Sequence, residues 1–295
     1  MSAQTTTHVR QPRLGAGRWW REVGWRHVVG AVMVVFSLFP VLYIVSAAFN
    51  PLGSVVSTGV IPTTFSTVNF DKLFATTSYE RWLVNSLVVA VVVTFVQVFC
   101  STLAAYAFSR LRFRGRRGGL LTLLLIQMFP QFLAAIAIYT MFSTIGDVVP
   151  QIGLNTLLGY ILVLTAGALG QVWLIKGFFD AVPKDLDEAA TVDGAGHATI
   201  FFRILLPLMQ PILVVTGLLA FIAVVNDFLM ASIFLRSDES KTVAVGLYGI
   251  IDADKSNNLG LFAAGALITA IPVVILFQLA QRYIVGGITV GAVKG

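Results

Sequence analysis

An all-α integral membrane protein with six transmembrane helices is the fold this sequence predicts, on three observations. The chain is 57% hydrophobic and only 12% charged over 295 residues, with a mean hydropathy of +0.86, which excludes an ordinary soluble domain. Six apolar runs are each long enough to cross a hydrocarbon core of about 30 Å. The basic residues flank those runs, so a pI near 9.7 reports membrane orientation and not nucleic-acid binding. A single cysteine, Cys100, rules out an intramolecular disulfide. The three histidines, His8, His27 and His197, stand far apart without ligand spacing, so no metal site is expected.

In chain order, residues 1–27 form a polar tail carrying Arg10, Arg13, Arg18, Arg21 and Arg26. A signal peptide would combine a short charged start with a short apolar region. The uncharged run 28–49 is 22 residues long and reads as a retained first span, with Trp19, Trp20 and Trp25 as interfacial anchors. Residues 50–81 turn polar, with Pro51, Gly53 and Pro62, and form an external loop. The second span is the uncharged run 82–108, and the basic loop after it holds Arg110, Arg112, Arg114, Arg116 and Arg117. The third span lies within 119–144, with Pro130 as a kink. A short connection around 147–155 leads to the fourth span, 156–175. A polar stretch occupies about 176–206, and the fifth span runs from 207 to about 232. A loop with Arg236, Asp238, Glu239, Asp252 and Asp254 precedes the sixth span, 259–281. The organisation is therefore a tail, 1–27; a six-helix membrane domain, 28–283; and a C-terminal tail, 284–295.

An even number of spans places both termini on one side, and charge tests which side. Of the 20 basic residues, 15 fall in the two tails, the second-to-third loop and the polar stretch. Lys72, Arg81, Arg236, Lys241 and Lys255 make up the external set. This bias predicts N-in, C-in and puts the stretch 176–206 in the cytoplasm.

That stretch contains EAATVDGAGHATIFFRILLPLMQP, residues 188–211. Pro183 suits the first turn of a helix, and Asp185, Asp187 and Glu188 complement the positive end of its dipole. Ala189 and Ala190 keep one face small. Gly194 fits the residue after the helix end, where glycine takes the left-handed conformation without penalty. A second helix groups Ile200, Phe201, Ile204 and Leu205 at helical spacing and leads to Pro207.

No GxxxxGK[ST] loop, HExxH or nucleophile–base pair occurs, so no ATP binding by that motif and no catalysis is expected of this chain. Candidate pathway groups are the polar residues within spans: Asn85, Gln97, Gln127, Gln131, Tyr139, Gln171, Asn226 and Asp227. Their plain alternative is interhelical hydrogen bonding. Asp227 is the formal charge well inside a span, and it must face protein, water or the interface. It reads either as a capped or paired group near the outer end of the fifth helix, or as the proton-coupling acid of a stand-alone ion-coupled transporter.

The stretch 188–211 resembles the EAA loop of permease subunits of binding-protein-dependent ATP-binding-cassette importers. The family pattern EAAxxDGAxxxxxFxxxxLPxxxP is met by Glu188, Ala189, Ala190, Asp193, Gly194, Ala195, Phe201, Leu206, Pro207 and Pro211. Residues 50–74, 232–249 and 262–295 are similar to the smaller permease subunit of maltose and maltodextrin importers. The resemblance implies a type I ABC importer membrane domain in the bacterial cytoplasmic membrane. It also implies a heterodimer with a larger permease subunit, two ATPase subunits that bind ATP and Mg, and an extracytoplasmic sugar-binding protein. By the same resemblance the loop is a coupling helix docking on the ATPase, and the tail, Gly291, Ala292, Val293, Lys294 and Gly295, touches the ATPase pair. The resemblance implies maltose or maltodextrin as the sugar, with trehalose or another oligosaccharide as the alternative.

Overall fold

A computed structural model describes residues 16–62 and 64–292, with the side chains of 16, 18, 131, 132 and 284–292 outside that description. All regular structure among these residues is helical. The principal helices are α1 (Trp25–Phe49), α2 (Val68–Thr76), α3 (Tyr79–Arg110), α4 (Arg116–Met128) and α5 (Gln131–Val148). They continue with α6 (Leu157–Thr165), α7 (Ala168–Ala181), α8 (Asp185–Val192), α9 (His197–Leu208) and α10 (Gln210–Val225). The last three are α11 (Leu229–Phe234), α12 (Val243–Ala253) and α13 (Leu259–Ala292).

Three apolar helices are long enough to cross a membrane: Trp20–Phe49, Tyr79–Arg110 and Leu259–Tyr283. Three further pairs meet the same test only together, being bent by 99° between α4 and α5, 41° between α6 and α7, and 75° between α9 and α10. Counting each pair as one span makes six. The third span is thus more than kinked: Phe129 and Pro130 are extended and separate two helices. Pro130 has no amide hydrogen to continue the ladder, and it disfavours helical backbone at Phe129. The predicted external loops hold helices, α2 and α12, and α13 continues through Ala292 into the expected C-terminal tail. Val293, Lys294 and Gly295 lie outside the described residues.

The central rod is α3, which packs on α6, α7, α10 and α12. Its buried face repeats at three- and four-residue steps, through Tyr79, Trp82, Ser86, Val89, Val93, Gln97, Ser101 and Ala105. That face is rich in small and polar groups, while Val84, Val91 and Phe95 point outward. A soluble helix would show the reverse; here the surroundings are as apolar as the side chains, so small and hydrogen-bonding residues go where helices meet. Three core clusters are stacked along the rod. One near its start joins Tyr79 and Trp82 to Leu247 and Ala264. The middle one gathers Val89 and Val93 with Tyr160, Phe221 and Phe234. The third, at its end, packs Tyr106 against Phe179, Phe201 and Leu205. By contrast, α1 rests on α13 and α2 and leaves most of its length exposed.

A helical hairpin and a polar cavity as the candidate functional site

Helices α8 and α9 form a hairpin at the end of α3. The first begins at Asp185, two residues after Pro183, because Val182 is extended and its carbonyl accepts from Arg110 Nη2 at 2.8 Å. A residue before proline is driven out of helical backbone. Asp185, Asp187 and Glu188 occupy the first turn, opposite the positive end of the peptide dipoles.

The hairpin turn is closed by two hydrogen bonds. The amide of Gly194 donates to the Thr191 carbonyl at 3.0 Å, and that of Ala195 to the Ala190 carbonyl at 2.9 Å. This pair defines a Schellman turn. It requires a left-handed residue at 194, and Gly194 has φ +84°. In α9 the backbone widens to a π-helix over Ile200–Leu205. Ile200, Phe201 and Leu205 turn inward, with the Phe201 ring 4.9 Å from that of Tyr106. Ala190 is buried behind them, while Glu188, Ala189, Asp193, Gly194 and Pro207 face outward and Ala195 is half-buried. Val192 is 87% exposed at the tip. The hairpin is therefore held from behind and presents a small, partly acidic, partly apolar face.

The span polar residues divide by what their side chains touch. Asn85 is buried and donates to the carbonyls of Glu239 at 3.0 Å and Lys241 at 2.9 Å, clamping the loop before α12. Buried Gln97 donates to the Leu164 carbonyl, at the α6–α7 bend, and accepts from Gln171 at 3.0 Å. Tyr139 lies under the Arg236 guanidinium, 5.0 Å from ring centre to Cζ. Asn226 is exposed and returns its amide to the Ile222 carbonyl. The Asp227 carboxylate accepts from the Tyr160 hydroxyl at 2.6 Å and from the amides of Met230 and Ala231, so it caps α11. Gln127 is exposed, with weak contacts to the carbonyls of Leu123 and Leu169. Gln131 belongs to α5, and its side chain lies outside the described residues.

Four of these residues, Gln97, Gln127, Gln171 and Asp227, line one cavity of about 750 Å³ between α3, α4, α5, α6, α7 and α10, and Phe129 adds an exposed ring. Asn85 and Tyr139 sit elsewhere. A second cavity, of about 810 Å³, is almost purely apolar and lies along α3, α10 and α13.

Residues 97–290, well over half of the chain, match the family described as the binding-protein-dependent transport system inner membrane component. The chain belongs to that family. Among curated proteins, this inner membrane component is 38% identical to the galactooligosaccharides transport system permease protein GanQ of Bacillus subtilis (strain 168) over 269 residues, covering 90% of this chain and 93% of that protein. It is also 38% identical to the maltodextrin transport system permease protein MdxG of the same organism over 264 residues, at 90% and 93% coverage. The maltose/maltodextrin transport system permease protein MalG of Vibrio vulnificus (strain YJ016) matches at 38% over 282 residues, covering 91% and 95%. Among solved structures, a bacterial ABC transporter involved in import of the acidic polysaccharide alginate superposes with a TM-score of 0.76 at 21% identity, covering 93% of this chain and all of that one. That likeness bears on the fold.

In this inner membrane component, one pairing escapes a reading of the sequence. Arg110, in the basic run after α3, and Asp187, in the acidic first turn of α8, form an ion pair, Nε to Oδ2 at 2.7 Å. The contact is an ion pair rather than an aligned hydrogen bond, since Nε finds no hydrogen-bond partner among the described residues. Beside it, the Ser109 hydroxyl donates to Asp180 at 2.6 Å, and Lys176 pairs with the same carboxylate. The signal in the sequence was faint: arginine at the end of a span ordinarily reads as an orientation charge.

Proposed function

We propose that the chain is the permease subunit of an ATP-driven oligosaccharide importer, with maltodextrins as its substrate class and galactooligosaccharides or trehalose as the nearest alternatives. The observation that carries this is identity of 38% along nine-tenths of the chain to proteins named for galactooligosaccharide, maltodextrin and maltose transport. In this reading six spans cross the bacterial cytoplasmic membrane with both termini inside. The α8–α9 hairpin docks through Glu188, Ala189, Asp193 and Gly194 on an ATPase subunit. ATP and Mg bind that partner, and this chain catalyses nothing itself. A larger permease subunit completes the pathway, a second ATPase subunit completes the motor, and an extracytoplasmic binding protein delivers the sugar. The C-terminal residues 291–295 reach the ATPase pair.

The cavity holding Gln97, Gln127, Gln171 and Asp227 is the segment of the pathway assigned to this subunit. Sugar hydroxyls need both donors and acceptors, which amides supply. Uptake of labelled maltotriose, a galactooligosaccharide and trehalose by a strain lacking this chain, with and without its restoration, tests the assignment. Restored uptake of one sugar names the substrate. Unchanged uptake of all three, with the chain present in the membrane, refutes the oligosaccharide reading.

A further inference from the structure

We propose that Arg110 is the joint through which the hairpin drives α3, with Asp187 as its partner, both acting as positioning residues for coupling. The proposal rests on the importer reading above. Its starting point is burial. Arg112, Arg114 and Arg117 of the same basic run are exposed, as orientation charges should be. The Arg110 side chain is 5% exposed and that of Asp187 19%. Enclosing two charges is costly unless they stay paired, so a guanidinium held this way has a role that solvent-facing arginines lack.

The geometry shows what it holds. Nη2 donates to the Val182 carbonyl at 2.8 Å, before the α7–α8 turn, and Nε meets Asp187 at 2.7 Å, after it. One side chain from the end of α3 therefore straddles the turn that launches the hairpin. Ser109, its neighbour, ties Asp180 at the end of α7, and the Tyr106 ring, one turn back, meets both Phe179 and Phe201. Sliding α8 along α3 would separate the buried charges, so the two elements move together.

Helix α3 reaches the cavity and the far loop as well. From Arg110 it runs as one helix of 32 residues. At mid-length its Gln97 holds the Leu164 carbonyl at the α6–α7 bend, beside the polar cavity. At the far end its Asn85 holds two carbonyls of the loop before α12. The alternative route, from α9 directly into α10, crosses a 75° bend. An uninterrupted, hydrogen-bonded helix transmits displacement better than a broken connection, so α3 is the lever and Arg110 its attachment.

The test uses the complete complex, with partner permease and ATPases, in proteoliposomes, and reads maltotriose transported per ATP hydrolysed. Asp187→Asn keeps size but removes the attraction, Arg110→Lys removes the fork, and Arg110→Asp with Asp187→Arg reverses the pair. The single variants should assemble, keep hydrolysing ATP, and lose transport per ATP by ~5-fold or more, the lower end of ordinary coupling free energies. The reversed pair should recover most of that loss. Co-purification of the ATPase with the Asp187→Asn variant should match that of the unaltered chain, because docking itself is untouched. Wild-type transport per ATP in Asp187→Asn overturns the proposal. So does a reversed pair that assembles yet stays as uncoupled as the single variants. Failure of every variant to assemble assigns the pair to folding alone and also overturns it. Absence of coupled uptake of maltotriose, a galactooligosaccharide and trehalose alike by the unaltered complex counts instead against the importer reading.

Discussion

Replacing Gly194 tests the hairpin most directly, because its turn requires a left-handed backbone at that one residue. A Cβ built at Gly194 meets no atom within 4 Å, so space is not at issue. The cost comes from φ +84°, which an L-residue pays at about 1–2 kcal/mol. Escaping that strain would break the two turn-closing hydrogen bonds, from Gly194 to Thr191 and from Ala195 to Ala190, each with a net value of about 0.5–1.5 kcal/mol. The turn therefore opens when strain exceeds roughly 1–3 kcal/mol, the two bonds together. Gly194→Asn should be nearly neutral, since asparagine visits this region more readily than other side chains. Gly194→Ala should sit near the threshold, with the closed turn depopulated by about tenfold per 1.4 kcal/mol of strain. Gly194→Val, β-branched and a strong outlier at positive φ, should open the turn. The assays are limited proteolysis of the hairpin, co-purification with the ATPase, and sugar uptake at matched expression. Membrane insertion should survive in all three variants. Normal uptake by Gly194→Val at normal expression would refute the reasoning, as would equal losses in Asn and Val.

Four further outcomes are expected. Glu188 is exposed on the hairpin; if its charge serves docking, Glu188→Lys should lose ATPase co-purification and uptake far more than Glu188→Gln. Equal small effects would leave it only a helix-dipole role of about 0.3–1 kcal/mol. Asp227 caps α11 and holds the Tyr160 hydroxyl, so Asp227→Asn should retain substantial ATP-driven uptake; complete loss in an assembled complex, together with loss of pH dependence, would favour ion coupling. Gly246→Ala should destabilise the assembly by about 1–3 kcal/mol through overpacking, because an added Cβ would enter the ring of Trp82, itself buried; an unchanged thermal midpoint would show that the ring can move. The Ser78 hydroxyl, aided by Lys241 and opposed by partial burial, holds the Asp238 carboxyl below its usual range. A depressed acid stabilises the fold above its unfolded value and ceases to as pH falls through the folded one. Hydrogen exchange in residues 236–242 should thus rise only below about pH 4, a typical unfolded carboxylate value, and Ser78→Ala should shift that rise upward; identical profiles would remove the tie.

How much of this is legible in the sequence follows from the range of each interaction. Apolar run length and charge asymmetry are properties of contiguous residues, so the long helices 25–49, 79–110 and 259–283 stand close to where hydropathy places them. The hairpin is equally local: an acidic first turn, a glycine eight residues after Leu186, and helical spacing of Ile200, Phe201 and Leu205 together specify helix, left-handed turn and helix. The spacing also carried the family resemblance. Tertiary structure alone decided the rest. Pro130 was visible, but a 99° break and not a kink depends on what the two halves pack against. Asn85, Gln97 and Gln171 look alike as amides within apolar runs. Only their distant partners show that Asn85 clamps a loop while the two glutamines hold one another beside a cavity. Arg110 and Asp187 belong to segments separated by two spans, each with a sufficient local explanation as orientation charge or helix-dipole acid. A pair buried between remote elements leaves no periodicity, so charge, hydropathy and spacing describe each partner without revealing the contact.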